Sequence, residues 1–275
     1  MPPTTDTPTA APSATGTSAA DPPTADPPTT GTPAAGTPVR PATNTPTADY
    51  TAYRSVVADS FRTWYGAGRD SWTAAGTNER VTGFACAQAP AATGDPRRVL
   101  DVGCGRGHQT AAFADRLDAD ATGLDLLDVW DAPTPARGRA RFRQADFLEH
   151  TDDALDLLVD NGCLHHQRRA DWSAWAAHGA ELLRPGGTLV VSVFLSPDGE
   201  ITELPLNDGR LNWWLTETAV GDLYTAAGLA PRERLVIDRD FEYRGHRLAY
   251  LTLSFRKPSS GPRSPRPPAS GKPDG

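Results

Sequence analysis

Residues 99–110 read VLDVGCGRGHQT: a short apolar run that breaks into glycines at alternate positions, Gly103, Gly105 and Gly107, with Asp101 just ahead of them. The run has the make-up of a buried strand. The segment "HQTAAFADRLDA" that follows repeats apolar residues at helical spacing through Phe113, Ala114 and Leu117. Glycine lets a chain turn sharply between strand and helix, and it leaves backbone N–H groups at the helix start open to a ligand with no Cβ in the way.

The same alternation continues downstream. A second strand is predicted at "ATGLDLL", residues 121–127, a third at "RARFRQAD", 139–146, and a fourth at "LDLLVDNG", 155–162. The linker "DVWDAPTPARG" between the second and third carries two prolines and leaves the second helix of such a fold missing or very short. The stretch "DWSAWAAHGAELL" puts Trp172, Trp175, Ala176, Gly179, Leu182 and Leu183 on one helical stripe, and "RPGG" stops it. The run "TLVVSVFL", 188–195, is nearly all apolar, as in a strand covered on both faces. A helix at "TETAVGDLYTAAGL" precedes "ERLVID" and "HRLAYLTLSF", which read as an antiparallel hairpin joined by "RDFEYRG". The sum is an α/β fold: a doubly wound, mostly parallel seven-stranded sheet with an antiparallel C-terminal hairpin. Ligands of such sheets sit at the carboxyl ends of the strands, where the glycine turn lies.

Composition sets the limits of the domain. Residues 1–48 are almost wholly Pro, Thr and Ala, and 258–275 are Pro, Ser, Gly and a few charges. Neither can bury a core, so both are expected to be disordered tails. The 49–257 stretch is long enough for one domain, with 49–90 reading as a helical lid region. It holds 30 acidic and 23 basic residues and no basic run, which speaks against a nucleic-acid partner. No segment approaches a membrane span, and no basic, apolar secretory leader opens the chain. Cys86, Cys104 and Cys163 are odd in number and lack ligand spacing, so neither a disulfide framework nor a metal site is expected. These features place the chain in the cytoplasm, with oligomeric state open.

The glycine turn departs from the dinucleotide pattern G-x-G-x-x-G, since His108 stands where the last glycine belongs. Asp125, closing the second strand, is placed to take the two hydroxyls of a ribose. "GCGRG", "QADF" after the third strand, "DNGCLHH" after the fourth and "LLRPGG" before the fifth follow in the order seen in class I S-adenosylmethionine-dependent methyltransferases, which the chain resembles over residues 97–257. The "DNGCLHH" segment is similar to the thiopurine and thiol methyltransferase-like branch.

The resemblance implies S-adenosyl-L-methionine as cofactor. It puts Gly103, Cys104, Gly105 and Gly107 against the methionine portion, with Asp101 steadying the turn and Asp125 on the ribose. Asp146 would accept from the adenine amino group while Phe147 offers its amide, and Asp160 and Asn161 would line the methionine end. Asp146 also reads as an N-cap for "FLEH". The implied reaction moves a methyl group to an O, S or N nucleophile of a small molecule, with secondary metabolism the expected setting. His165 and His166, titrating near neutrality in model compounds, are the candidate bases, with one of the pair expected to work. Trp64 and Tyr65 of the lid and Trp213 and Trp214 of "LNWWLTE" are candidate walls of the substrate pocket. Two other readings stand beside this one: an NAD-dependent oxidoreductase, and an adenosyl-cofactor-binding protein that does not methylate.

Overall fold

The computed structural model describes residues 48–259 apart from 71, 73–75, 92–95, 153 and 244. Almost all of the two expected tails therefore lies outside the described residues. Two helices come first, α1 (Ala48–Gly66) and α2 (Gly76–Gln88). The alternating part follows as β1 (Arg97–Val102), α3 (His108–Leu117), β2 (Ala119–Asp125), β3 (Arg139–Gln144), β4 (Leu155–Asn161), α4 (Trp172–Leu182) and β5 (Leu183–Leu195). A small hairpin, β6 (Thr202–Pro205) and β7 (Leu211–Trp214), precedes α5 (Glu217–Ala226), β8 (Ala230–Tyr243) and β9 (His246–Arg256).

The seven-stranded sheet runs β3-β2-β1-β4-β5-β9-β8. The pairs from β3 to β5 are parallel, and β9 lies antiparallel to both β5 and β8. The chain leaves β1 towards β2 on one side and returns to β4 on the other, so the switch point falls between β1 and β4. The turns that follow these two strands face each other there.

Alternation of side chains across the strands divides the core in two. Leu100, Leu158 and Leu189 join Trp172, Trp175, Val220 and Tyr224 on the side of α4 and α5. Their neighbours Val99, Leu157 and Val190 join Ala85, Phe113 and Ala114 on the side of α2 and α3. Burial on both faces accounts for the apolar stretches Leu157–Val159 of β4 and Leu189–Val191 of β5.

No helix forms among the residues between β2 and β3. Trp130 from that linker instead stacks on Phe142 of β3, with ring centroids 5.6 Å apart and planes at 15°. The β6–β7 hairpin is the element absent from the reading of the sequence, which took "LNWWLTE" as loop. The final strands also run longer than their apolar cores.

Candidate functional site

The glycine turn is held by its own backbone and by one carboxylate. Gly103 and Cys104 donate their N–H groups to Leu124 O at 2.7 and 3.1 Å. Asp125 accepts from Gly105 N at 2.8 Å and, with its other oxygen, from Leu127 N at 2.9 Å. A carboxylate has about four acceptor positions, so Asp125 keeps capacity for further donors. Gly103, Gly105 and Gly107 all take positive φ, at 68°, 53° and 82°.

Behind the turn lie two further carboxyl groups. Asp101 is 1% exposed and accepts from Thr110 Oγ1 at 2.6 Å. Asp160, equally buried, accepts from Cys163 N at 2.7 Å, Leu164 N at 3.3 Å and Trp175 Nε1 at 2.8 Å. Burial pushes Asp101 up to about 7, with Asp125 and Asp160 adding repulsion, and burial pushes Asp160 up to about 6. Burial also raises Asp125, against the hydrogen bonds it receives.

The turn opens on a cavity of about 1040 Å³. Gly103, Cys104, Gly105, Gly107, Asp125 and Asn161 border one end, with Asp146 and Phe147 beside them, whereas Asp101 and Asp160 lie behind the wall. Asp146 caps the short turn Phe147–Glu149 by accepting from Leu148 N at 2.8 Å, as the N-cap reading anticipates. Its two oxygens also accept from the Tyr50 hydroxyl of α1 at 3.0 and 2.8 Å.

The other end of the cavity is aromatic and is roofed by α1. Trp64 and Trp214 border it, while Tyr65, also of the lining, reaches the glycine turn, its hydroxyl 2.5 Å from where a Cβ on Gly105 would stand. Trp213 does not: it packs edge-on to Trp172 and donates Nε1–H to Gln167 O at 2.9 Å. Strand alternation separates the two, because 210, 212 and 214 face the cavity while 211 and 213 face away. Arg210 and Asn212 thereby enter the site, which the sequence reading missed for want of β7. Tyr53 ties the roof to this wall: its hydroxyl donates to His166 O at 2.7 Å and accepts from Leu211 N at 2.9 Å.

Both histidines border the cavity, from the short turn Leu164–His166. His166 Nδ1–H donates to Leu211 O at 2.9 Å, which leaves Nε2 to accept from Arg210 Nη1 at 3.2 Å. Burial, helped by the Arg210 charge, drops its pKa to about 3. His165 is driven well below the usual imidazole value by burial first, and its Nδ1 has no partner among the described residues. Its ring lies 4.1 Å from that of Phe194.

Glycines that admit a ligand after β1, a carboxylate at the tip of β2 and an antiparallel β8–β9 pair on a doubly wound sheet define a Rossmann-like methyltransferase fold. The family model described as "Methyltransferase domain" matches residues 79–233, and the chain belongs to that family. The chain is similar to the 1,6-didemethyltoxoflavin-N1-methyltransferase of Burkholderia thailandensis, solved with 1,6-didemethyltoxoflavin and S-adenosylhomocysteine bound: 29% identity, a TM-score of 0.64, 80% of this chain and 94% of that one. It is 35% identical to the trans-aconitate 2-methyltransferase of Streptomyces coelicolor over 39% of this chain and 38% of the other. An uncharacterised methyltransferase of Mycobacterium bovis is 32% identical over 49% of this chain and 61% of its own. The chain thus spans less than two thirds of the length of these two curated relatives.

Proposed function

We propose that this chain is an enzyme that transfers a methyl group from S-adenosylmethionine to an O, N or S nucleophile of a small molecule of secondary metabolism, with a ring nitrogen the leading acceptor. The observation that carries the reading is the continuity of one cavity, from the glycine turn and Asp125 to an aromatic chamber. Its volume stands at the top of the range of about 300–1,000 Å³ for a single small ligand, which leaves room for a cofactor and an acceptor side by side. The Burkholderia relative, whose structure holds both kinds of ligand, supports the same division.

The residues present fit an adenosyl cofactor. Asp125 would take the ribose hydroxyls with the acceptor positions its two backbone donors leave open, and the three glycines form the positive-φ turn whose Cβ atoms, had they any, would strike Cys163, Tyr65 and Phe142 packed around it. Leu126 and Phe147 would flank the base, with Asp146 at its edge, and Asn161 would line the methionine end. When bound, the cofactor supplies a methyl group already activated on a sulfonium. The buried carboxyls Asp101, Asp125 and Asp160 would favour that positive charge.

Burial leaves both imidazoles neutral at pH 7 and weaker bases than the near-neutral titration expected of them; His165 is the better candidate because it is less encumbered, whereas His166 spends both ring nitrogens on Leu211 and Arg210. His165→Ala is expected to lower turnover by about 10²-fold or more, the usual contribution of a general base, with S-adenosylhomocysteine affinity kept. Unchanged turnover in that variant would remove His165 from the mechanism.

We also read the chain as cytoplasmic, without a nucleic-acid partner, and with solvated tails. The three cysteines are unpaired, and among the described residues no helix is long and apolar enough to cross a membrane. Thermal unfolding of the full chain tests the cofactor reading. S-adenosylhomocysteine at 100 times its Kd should add about 2.7 kcal/mol, and NAD should add nothing. Stabilisation by NAD alone would replace the methyltransferase with the oxidoreductase.

A further inference from the structure

Three polar atoms of the aromatic chamber are buried without a hydrogen-bond partner among the described residues: Arg210 Nε, Asn212 Oδ1 and His165 Nδ1. All three residues border the same cavity. Unsatisfied buried polar groups are costly and uncommon in native folds, so three at one wall call for a partner from outside the chain.

Arg210 makes the strongest demand. Its side chain belongs to a residue only 4% exposed, with the guanidinium carbon 4.2 Å from the Phe61 ring centroid and 5.3 Å from that of Trp64. Asp208 acts on it electrostatically, yet that carboxylate accepts from Ser60 Oγ at 2.6 Å and from the Arg210 backbone N–H at 3.1 Å. Among the described residues the side-chain acceptor on the guanidinium is the neutral Nε2 of His166. The cation is therefore sandwiched among aromatic faces and held by a neutral ring, with Nε–H left to donate.

We infer that Arg210 and Asn212 form a donor–acceptor pair that reads a flat cyclic amide, the ring carbonyl taking Arg210 Nε–H and the adjoining ring N–H giving to Asn212 Oδ1. His165 Nδ1 meets a further polar atom of the same ring system. This rests on the reading of the chamber as the acceptor site and names the acceptor's class within it. Arg210 and Asn212 stand two residues apart on the β7 side of the hairpin and so share a face. Phe61 and Trp64 on one side, with Phe194 stacked on Tyr250 at 5.1 Å elsewhere on the wall, suit a planar ring. A polycarboxylate fits less well, because it brings no hydrogen for Asn212 Oδ1 and sets its oxygens against the negative end of that amide dipole.

Binding to the full chain, with and without S-adenosylhomocysteine, tests this with three probes: lumazine, which carries the amide edge; 1,3-dimethyllumazine, which has lost the N–H; and trans-aconitate. Lumazine should bind at least about tenfold tighter than its dimethyl derivative and tighter than trans-aconitate, since a site built to hydrogen-bond an N–H rejects the analogue lacking it. Asn212→Leu should erase the difference between the two lumazines, and Arg210→Met should weaken both by about tenfold or more. Neither should change the affinity for S-adenosylhomocysteine, which also reports that the variants are folded. Equal binding of the two lumazines, no binding of lumazine, or tighter trans-aconitate binding would overturn the inference. These wild-type comparisons decide it even if a variant fails to fold. Absence of S-adenosylhomocysteine binding to the wild type is a separate result and strikes the cofactor reading instead.

Discussion

At Gly107 the backbone stands at φ +82°, and an added Cβ would lie 2.3 Å from the Phe142 ring. Gly107→Ala is expected to cost about 1–2 kcal/mol in left-handed strain and about 1–3 kcal/mol in overpacking, read as a lower denaturation midpoint. The buried carboxyls give a pH prediction. The unfolded chain loses its aspartate protons near pH 3.9, whereas Asp101 and Asp160 hold theirs to about 7 and 6. Between those limits the native state binds more protons, so these groups' contribution to stability falls as pH rises through the window. The ionised forms above it favour a cation at the turn, so affinity for S-adenosylmethionine relative to neutral-sulfur S-adenosylhomocysteine should rise from pH 5 to pH 8. Calorimetric titration at several pH values checks this; a flat ratio would mean that these carboxyls do not sense the sulfonium. The glycines and aspartates were legible in the sequence because backbone conformation and strand ends constrain residue type. The division of labour between His165 and His166 was not, because it depends on Leu211 and Arg210, more than 40 residues along the chain.

The β6–β7 hairpin shows the same limit at the next scale. The sheet strands were legible because two-sided burial demands apolar runs, and α4 because its stripe repeats at helical spacing. The hairpin has four residues per strand, with Asn212 and Arg210 on the inward face where apolar residues would normally mark a core. The polar pair breaks the apolar alternation that would have revealed the hairpin. Alternation within β7 makes two adjacent tryptophans separable. Trp214→Ala should raise the acceptor's KM with modest loss of stability, while Trp213→Ala, which removes a ring packed on Trp172, should cost about 3–5 kcal/mol in unfolding free energy. Urea melts and steady-state kinetics on the two variants would distinguish them. The reverse pattern would mean that the register of β7 is wrong.

Across the whole molecule, α1 connects the two ends of the cavity. It touches Asp146 through Tyr50, and it reaches the turn after β4 and the hairpin through Tyr53. The helical character of 49–90 was legible in the sequence, but the tie of its first helix to the Asp146 carboxylate was not, because that contact spans 96 residues. Tyr50→Phe removes a hydrogen bond to a buried carboxylate, worth about 1.5–3 kcal/mol. It should speed amide exchange in α1 and weaken S-adenosylhomocysteine binding together; loss of one without the other would uncouple roof from cofactor. The hairpin, by contrast, joins the main sheet through one parallel bridge, Leu195 to Leu215, among the described residues. The glycine turn and Asp125 thus grow directly from the parallel strands, while the wall that carries Arg210, Asn212 and Trp214 comes from a separate hairpin pinned to the main core through Trp213. Substitutions on the inward face of that hairpin therefore reshape the chamber and leave the strands that carry the turn untouched.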